Sequence, residues 1–194
     1  MHSSVRYLAL LAAFAPGCAT KDGAPAADSG AAVVAAPSVT ADLLADLTAM
    51  EKKFIDLARE IPAAKYGWRP GEGVRSVGEV YLHLASDNYL IPAALGFAPP
   101  AETGIVGGDY KTAQAFEMRK LDRDSIVAEV ERSFAFVKNA LNGTTPAKLG
   151  ESVTLFGQPF TGQSTWILAV THLHEHLGQM IAYARSNGVK PPWS

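Results

Sequence analysis

Hydrophobic residues recur at helical spacing along most of the chain beyond residue 38. Leu43, Leu47, Met50, Phe54, Leu57 and Ile61 step by four and three, the repeat that keeps one face of an α-helix on a core, and Pro62 ends the run. Thr40 stands where an N-cap belongs. The Pro- and Gly-containing stretch from Ala63 to Arg75 predicts a loop, with Trp68 folded over one end of the core. Ser76-Val77-Gly78-Glu79 is a capping-box pattern and opens a second helix to about Leu90, on which Val80, His83, Leu84 and Asp87 share a face.

After Pro92, the segment from Gly96 to Tyr110 predicts a long connection of the kind that often borders a site. A third helix is expected from near Asp122 or Asp124, carrying Val127, Val130, Phe134, Val137 and Leu141 to a stop at Asn142-Gly143. Its inward positions are aliphatic or aromatic, so it reads as scaffold. Val153-Thr154-Leu155-Phe156, then Gly157-Gln158-Pro159 and Phe160-Thr161, predicts a short extended excursion or hairpin. The last helix, about Ser164 to Asn187 with Gly188 closing it, puts Ala169, His172, Leu173, His176, Met180 and Tyr183 on one stripe. Four helices of bundle length with no convincing sheet predict an all-α four-helix bundle over residues 39–194.

The N-terminus breaks this pattern. Arg6 precedes an apolar run from Tyr7 to Ala15 that is too short for a comfortable membrane span, and Pro16-Gly17-Cys18 follows. Residues 1–17 therefore read as a signal peptide. They resemble a bacterial lipoprotein signal, with Ala15 and Pro16 departing from the usual box, so lipidation of Cys18 stands beside simple secretory cleavage. Residues 18–38, poor in large apolar side chains, read as a flexible linker. The expected location is the bacterial cell envelope or periplasm, on the membrane through a lipid anchor if Cys18 is modified. Cys18 is the single cysteine, which excludes an intramolecular disulfide. A hydrophobic content of 48% suits an ordinary globular domain, and a net charge of -2 without a Lys/Arg cluster argues against nucleic acid as a partner.

The chemistry concentrates in Thr171-His172-Leu173-His174-Glu175-His176-Leu177-Gly178-Gln179. On a helix His172 and His176 point together and His174 points away. Two imidazoles one turn apart can grip a cation, and a site of this class takes a third protein group. His83, on the core-facing side of the second helix, is that candidate. Asp87, one turn further on, stands where it could orient an imidazole or be solvated, and a solvated side chain is the expectation. His174 and Glu175 are expected at the helix edge, solvated or at a subunit contact. His174-Glu175 does not open a His-Glu-x-x-His motif, because Gly178 stands at the fourth position, so a zincin-type protease is not supported. Gln179 and Tyr183 lie within two turns of His176 and are candidates for contact with a small-molecule substrate.

Trp68-Arg69-Pro70, Ser76-Val77-Gly78-Glu79, His83-Leu84-Ala85, the His172 to Gln179 segment, Gly188 and Pro191-Pro192 occur in an order that resembles the DinB-like superfamily of metal-binding four-helix bundles. The resemblance implies a divalent transition metal, zinc first with nickel or iron as alternatives, held by His83, His172 and His176. It also implies a bundle that frequently dimerises. The implied activities are metal-dependent thiol transfer, isomerisation or hydrolysis, with a non-enzymatic envelope-anchored metal-binding or interaction module as the alternative. Export would separate this chain from cytosolic thiol transferases.

Overall fold

The computed structural model describes residues 38–193, and the expected signal peptide, Cys18 and the linker through residue 37 lie outside the described residues. Helix α1 (Val39–Glu60) buries Leu47, Met50, Phe54 and Leu57, the stripe its spacing predicts. Ser38, rather than Thr40, caps it: the Ser38 hydroxyl accepts from the Ala41 amide, while Thr40 only touches that hydroxyl, at 2.9 Å.

A 3₁₀ turn (Ala63–Lys65) then leads to Tyr66, whose hydroxyl donates to the Ala58 carbonyl at 2.7 Å and fastens the connection to α1. Trp68 is half-buried and meets Tyr183 edge-on at 5.3 Å, in the covering role its position predicts. Helix α2 (Val77–Ala93) opens with the complete capping box between Ser76 and Glu79 and runs past Leu90, with Pro92 in its last turn. Gly78 lets this helix approach closely, since a Cβ there would stand 3.1 Å from Ile126 and 3.4 Å from the Tyr66 carbonyl.

Nearly every residue of α2 is buried, including His83, Ser86, Asp87 and Asn88. Its apolar residues are spread around the helix instead of along one stripe, the signature of a helix enclosed by others. Helix α4 (Arg123–Asn142), capped by Asp122, and α6 (Gly162–Ser186) flank it. The strong interfaces pair α1 with α4 and α6, and α2 with α4 and α6, so the four long helices stand in the order α1, α4, α2, α6 around the bundle. Phe54, Tyr81, Phe134 and Trp166 fill its middle. Burying each such side chain contributes on the order of 1.5–3 kcal/mol. Helix α4 is not purely aliphatic inside, as expected from its stripe. Glu129 and Ser133 are buried, and Glu129 accepts from the Tyr89 hydroxyl at 3.0 Å and pairs with Arg132 at 2.9 Å.

Short elements complete the described domain. The connection expected from Gly96 to Tyr110 contains a 3₁₀ turn (Ala101–Thr103), and beyond it comes an unpredicted helix, α3 (Tyr110–Glu117), which Asp109 caps and which packs on α2. A single-turn helix α5 (Pro146–Gly150) follows α4. The predicted hairpin is present as β1 (Ser152–Leu155) and β2 (Gln158–Thr161), antiparallel with Leu155 opposite Gln158. It feeds α6, which ends at Asn187 with Gly188 at φ 76°, where a glycine meets no steric penalty.

Candidate metal centre

Helix α2 delivers His83 and α6 delivers His172 and His176 to one point. Each of the three rings offers a nitrogen, and these atoms all lie within 4.8 Å of one another. The His172 and His176 Nε2 atoms are 2.9 Å apart, and the His83 ring stands edge-to-face with both, at 5.3 and 4.8 Å between centroids. In a tetrahedral zinc site with bonds of about 2.0–2.1 Å, ligand atoms stand roughly 3.4 Å apart, so small side-chain adjustments suffice.

The orientation of two rings is set from behind. His83 Nδ1 lies 2.8 Å from Glu117 Oε1. Glu117 is the last residue of α3, and it also accepts from Arg75 at 2.9 Å and from Ser86 at 3.3 Å. Burial opposes ionisation of Glu117, but the His83 bond and the Arg75 guanidinium outweigh it and hold the carboxyl below its usual range. An ionised Glu117 accepts the Nδ1 proton and leaves the His83 Nε2 lone pair for a cation. His176 Nδ1 donates in the same way to Gln179 Oε1 at 2.7 Å. The Gln179 amide in turn donates to the Tyr183 hydroxyl at 3.1 Å, and that hydroxyl donates to the Arg75 carbonyl at 3.2 Å. Gln179 and Tyr183, candidates for substrate contact, are thus engaged here by protein groups behind His176.

Charge favours metal over protons. Burial first, then the neighbouring His176, His83 and Arg75 charges, push His172 down to about 3, and burial likewise lowers His176. Both rings are therefore neutral near pH 7, the form that ligates.

Asp87 corrects the expectation of a solvated side chain. It is 5% exposed, and its Oδ2 lies 3.3 Å from His172 Nε2 and 3.6 Å from His83 Nε2. Burial raises its carboxyl to about 6. Its Oδ1 is buried and has no hydrogen-bond partner among the described residues, an arrangement that costs free energy unless a cation or its ligands face the carboxylate. The three imidazoles form a donor set suited to a divalent transition metal, with Asp87 Oδ2 beside it. Beside them a cavity of about 220 Å³ is lined by His83, Asp87 and His172 together with Ile91, Tyr110, Phe156 and Leu168.

His174 stays outside this cluster, as its helical position requires. It pairs with Asp46 of α1 at 2.9 Å on the surface. Glu175 is exposed. The residue that sequence reasoning missed is Glu117. The available signal was Asp109 as a cap followed by Tyr110, Ala113 and Phe116 at three-residue spacing, enough for two turns of helix.

A profile described as the DinB superfamily matches residues 46–180, which span the three histidines and both orienting partners. Among solved structures, a DinB-like protein from Bacillus cereus superposes with TM-score 0.64 at 17% identity, over 77% of this chain and 93% of that one. A DinB-like protein from Bacillus subtilis gives 0.58 at 20% identity, over 76% and 92%. A mutant of a mycothiol-dependent maleylpyruvate isomerase gives 0.61 at 13% identity, over 73% of this chain and 60% of that one. At these identities the likeness shows the fold. No curated protein sequence matches the chain.

Proposed function

The chain belongs to the DinB superfamily, and from that premise and the geometry above we propose that it is a metal-dependent enzyme acting on a small molecule, by hydrolysis or by transfer of a low-molecular-weight thiol. The observation that carries the reading is the convergence of His83, His172 and His176 beside a cavity that His83 and His172 line, with two of the rings fixed through Nδ1. His83, His172 and His176 would hold the ion, zinc first with nickel or iron as alternatives. Bound there by neutral ligands, a divalent cation supplies Lewis acidity that lowers the pKa of water or a thiol toward neutrality.

The chain's own groups supply the rest. Glu117 and Gln179 hold the rings that bind, and Asp87 Oδ2 faces the same point and is placed to accept a proton from the nucleophile. The apolar side chains of the cavity exclude bulk water. The fold shared with a mycothiol-dependent isomerase supports a small thiol as co-substrate. The Arg6 to Cys18 segment supports action in the cell envelope, and a mass shift at Cys18 in membrane fractions tests that part.

A second reading keeps the ion but not the chemistry. Asp87 is close enough to two histidines to serve as a fourth ligand, and a closed shell of four protein groups marks a structural ion. Ligand exchange separates the two. In the cobalt-substituted protein, azide or a small thiol alters the visible spectrum if a coordination position is open. A spectrum indifferent to both, together with no metal-dependent turnover of esters or thiol acceptors, refutes the enzyme reading.

A further inference from the structure

Two aromatic rings line the cavity beside the histidines, and they come from different elements. Tyr110 opens α3, Phe156 sits in the β1–β2 turn, and their rings meet edge-to-face at 6.0 Å. Both are exposed, Tyr110 at 39% and Phe156 at 53%. Phe156 is also the one non-glycine with positive φ among the described residues, at 53°, followed by Gly157 at 73°. Positive φ at both central residues marks the hairpin turn for which Asn-Gly is the favoured pair. A phenylalanine there is strained, because its Cβ crowds the following carbonyl in the left-handed region. Its ring recovers little of that by burial, so neither the turn nor the core accounts for it.

The position of the ring does. Phe156 and Tyr110 line the 220 Å³ cavity together with Ile91 and Leu168, and they also line an adjoining cavity of about 300 Å³ with Leu90 and Leu155. Neither lining contains a lysine or arginine, so no side-chain cation is present to receive an acidic tail. An apolar cavity of roughly 150 Å³ accepts a benzene ring, so the smaller of the two has room for a ring and a small polar group.

We infer that the substrate carries a flat, uncharged apolar group of about ring size, seated against Tyr110, Phe156, Ile91 and Leu168 with its reacting polar end toward His83 and His172. This rests on the metal-centre reading above and extends it to a substrate class. The chemistry is that of an aryl or comparably compact apolar substituent next to a metal-directed group, in place of a sugar, nucleotide or polyanion.

The test uses two probes that share one metal-binding head. Acetohydroxamate and benzohydroxamate differ only in methyl against phenyl, and their binding to the cobalt-loaded protein is followed in the visible spectrum. The expected result is at least tenfold tighter binding of benzohydroxamate to the wild type. In Phe156→Asn and Tyr110→Ala the preference falls to within about twofold while the acetohydroxamate affinity holds. Phe156→Asn removes the ring and restores a turn-favouring residue, so it should melt no lower than the wild type. Equal affinities in the wild type, or a preference that survives both substitutions, overturn the pocket assignment. A protein that binds no cobalt overturns the metal reading instead, and the inference with it.

Discussion

Removing the carboxylate of Glu117 should weaken metal binding without touching a ligand. In the folded protein Glu117 Oε1 stands 2.8 Å from His83 Nδ1, and its other oxygen is held by Arg75 at 2.9 Å. A charge-assisted hydrogen bond contributes about 1.5–3 kcal/mol and a neutral one about 0.5–1.5. Glu117→Gln keeps an acceptor of the same shape, so it should lose the difference, on the order of 1–1.5 kcal/mol or roughly tenfold in affinity. Glu117→Ala leaves the His83 ring free to turn and should cost about 10–100-fold. Competition against a chromophoric zinc chelator at neutral pH measures both, with melting of the metal-free forms as the control for folding. The reasoning requires the order wild type, Gln, Ala. If Glu117→Ala binds within twofold of wild type while His176→Ala has lost the ion, the orienting role assigned to α3 is refuted.

Other expectations follow from the same geometry. His172, held at about 3 instead of 6.5, refuses a proton that its unfolded counterpart takes up, so the metal-free protein should lose stability as pH falls below 6.5 toward 3. His176 acts in the same direction, and Asp87, raised from 3.8 to about 6, opposes them between those values. Two imidazoles outweigh one carboxyl, and denaturant midpoints of chelator-treated protein should be lower at pH 5 than at pH 7.5 and flatter with pH in His172→Leu. Identical wild-type midpoints would contradict this. Ser76→Ala removes the hydroxyl that accepts from the Glu79 amide and should cost about 0.5–2 kcal/mol in denaturant unfolding. Phe134→Ala, at a fully buried site between helices, should cost about 3–5 kcal/mol, and an unchanged midpoint would mean that the core is packed otherwise.

The parts of the molecule visible in the sequence are those whose physics is local. The apolar stripe from Leu47 to Leu57 and the box at Ser76 and Glu79 depend on residues within a few turns, and so does the Gly188 stop. All three appear where local rules place them. The register of His172 and His176 on α6 is local in the same sense. Glu117 was not visible because α3 is two turns long and follows a Gly/Pro-rich stretch, and eight residues give little periodic signal. Asp87 was misread for another reason. Its place four residues beyond His83 suits either a solvated or a ring-orienting carboxylate, yet the helix is enclosed there, and Ser86 bonds the His83 carbonyl while Asn88 bonds Ser133 of α4. The burial of a polar residue is decided by what packs over it, and here that cover comes from segments distant in sequence.

The account turns on one cation shared by three rings, and metal analysis of the purified protein, with and without His172→Ala, addresses that directly. It predicts close to one divalent ion per wild-type chain and a large loss in the variant at unchanged helical content. Equal and substoichiometric metal in the two proteins would contradict it.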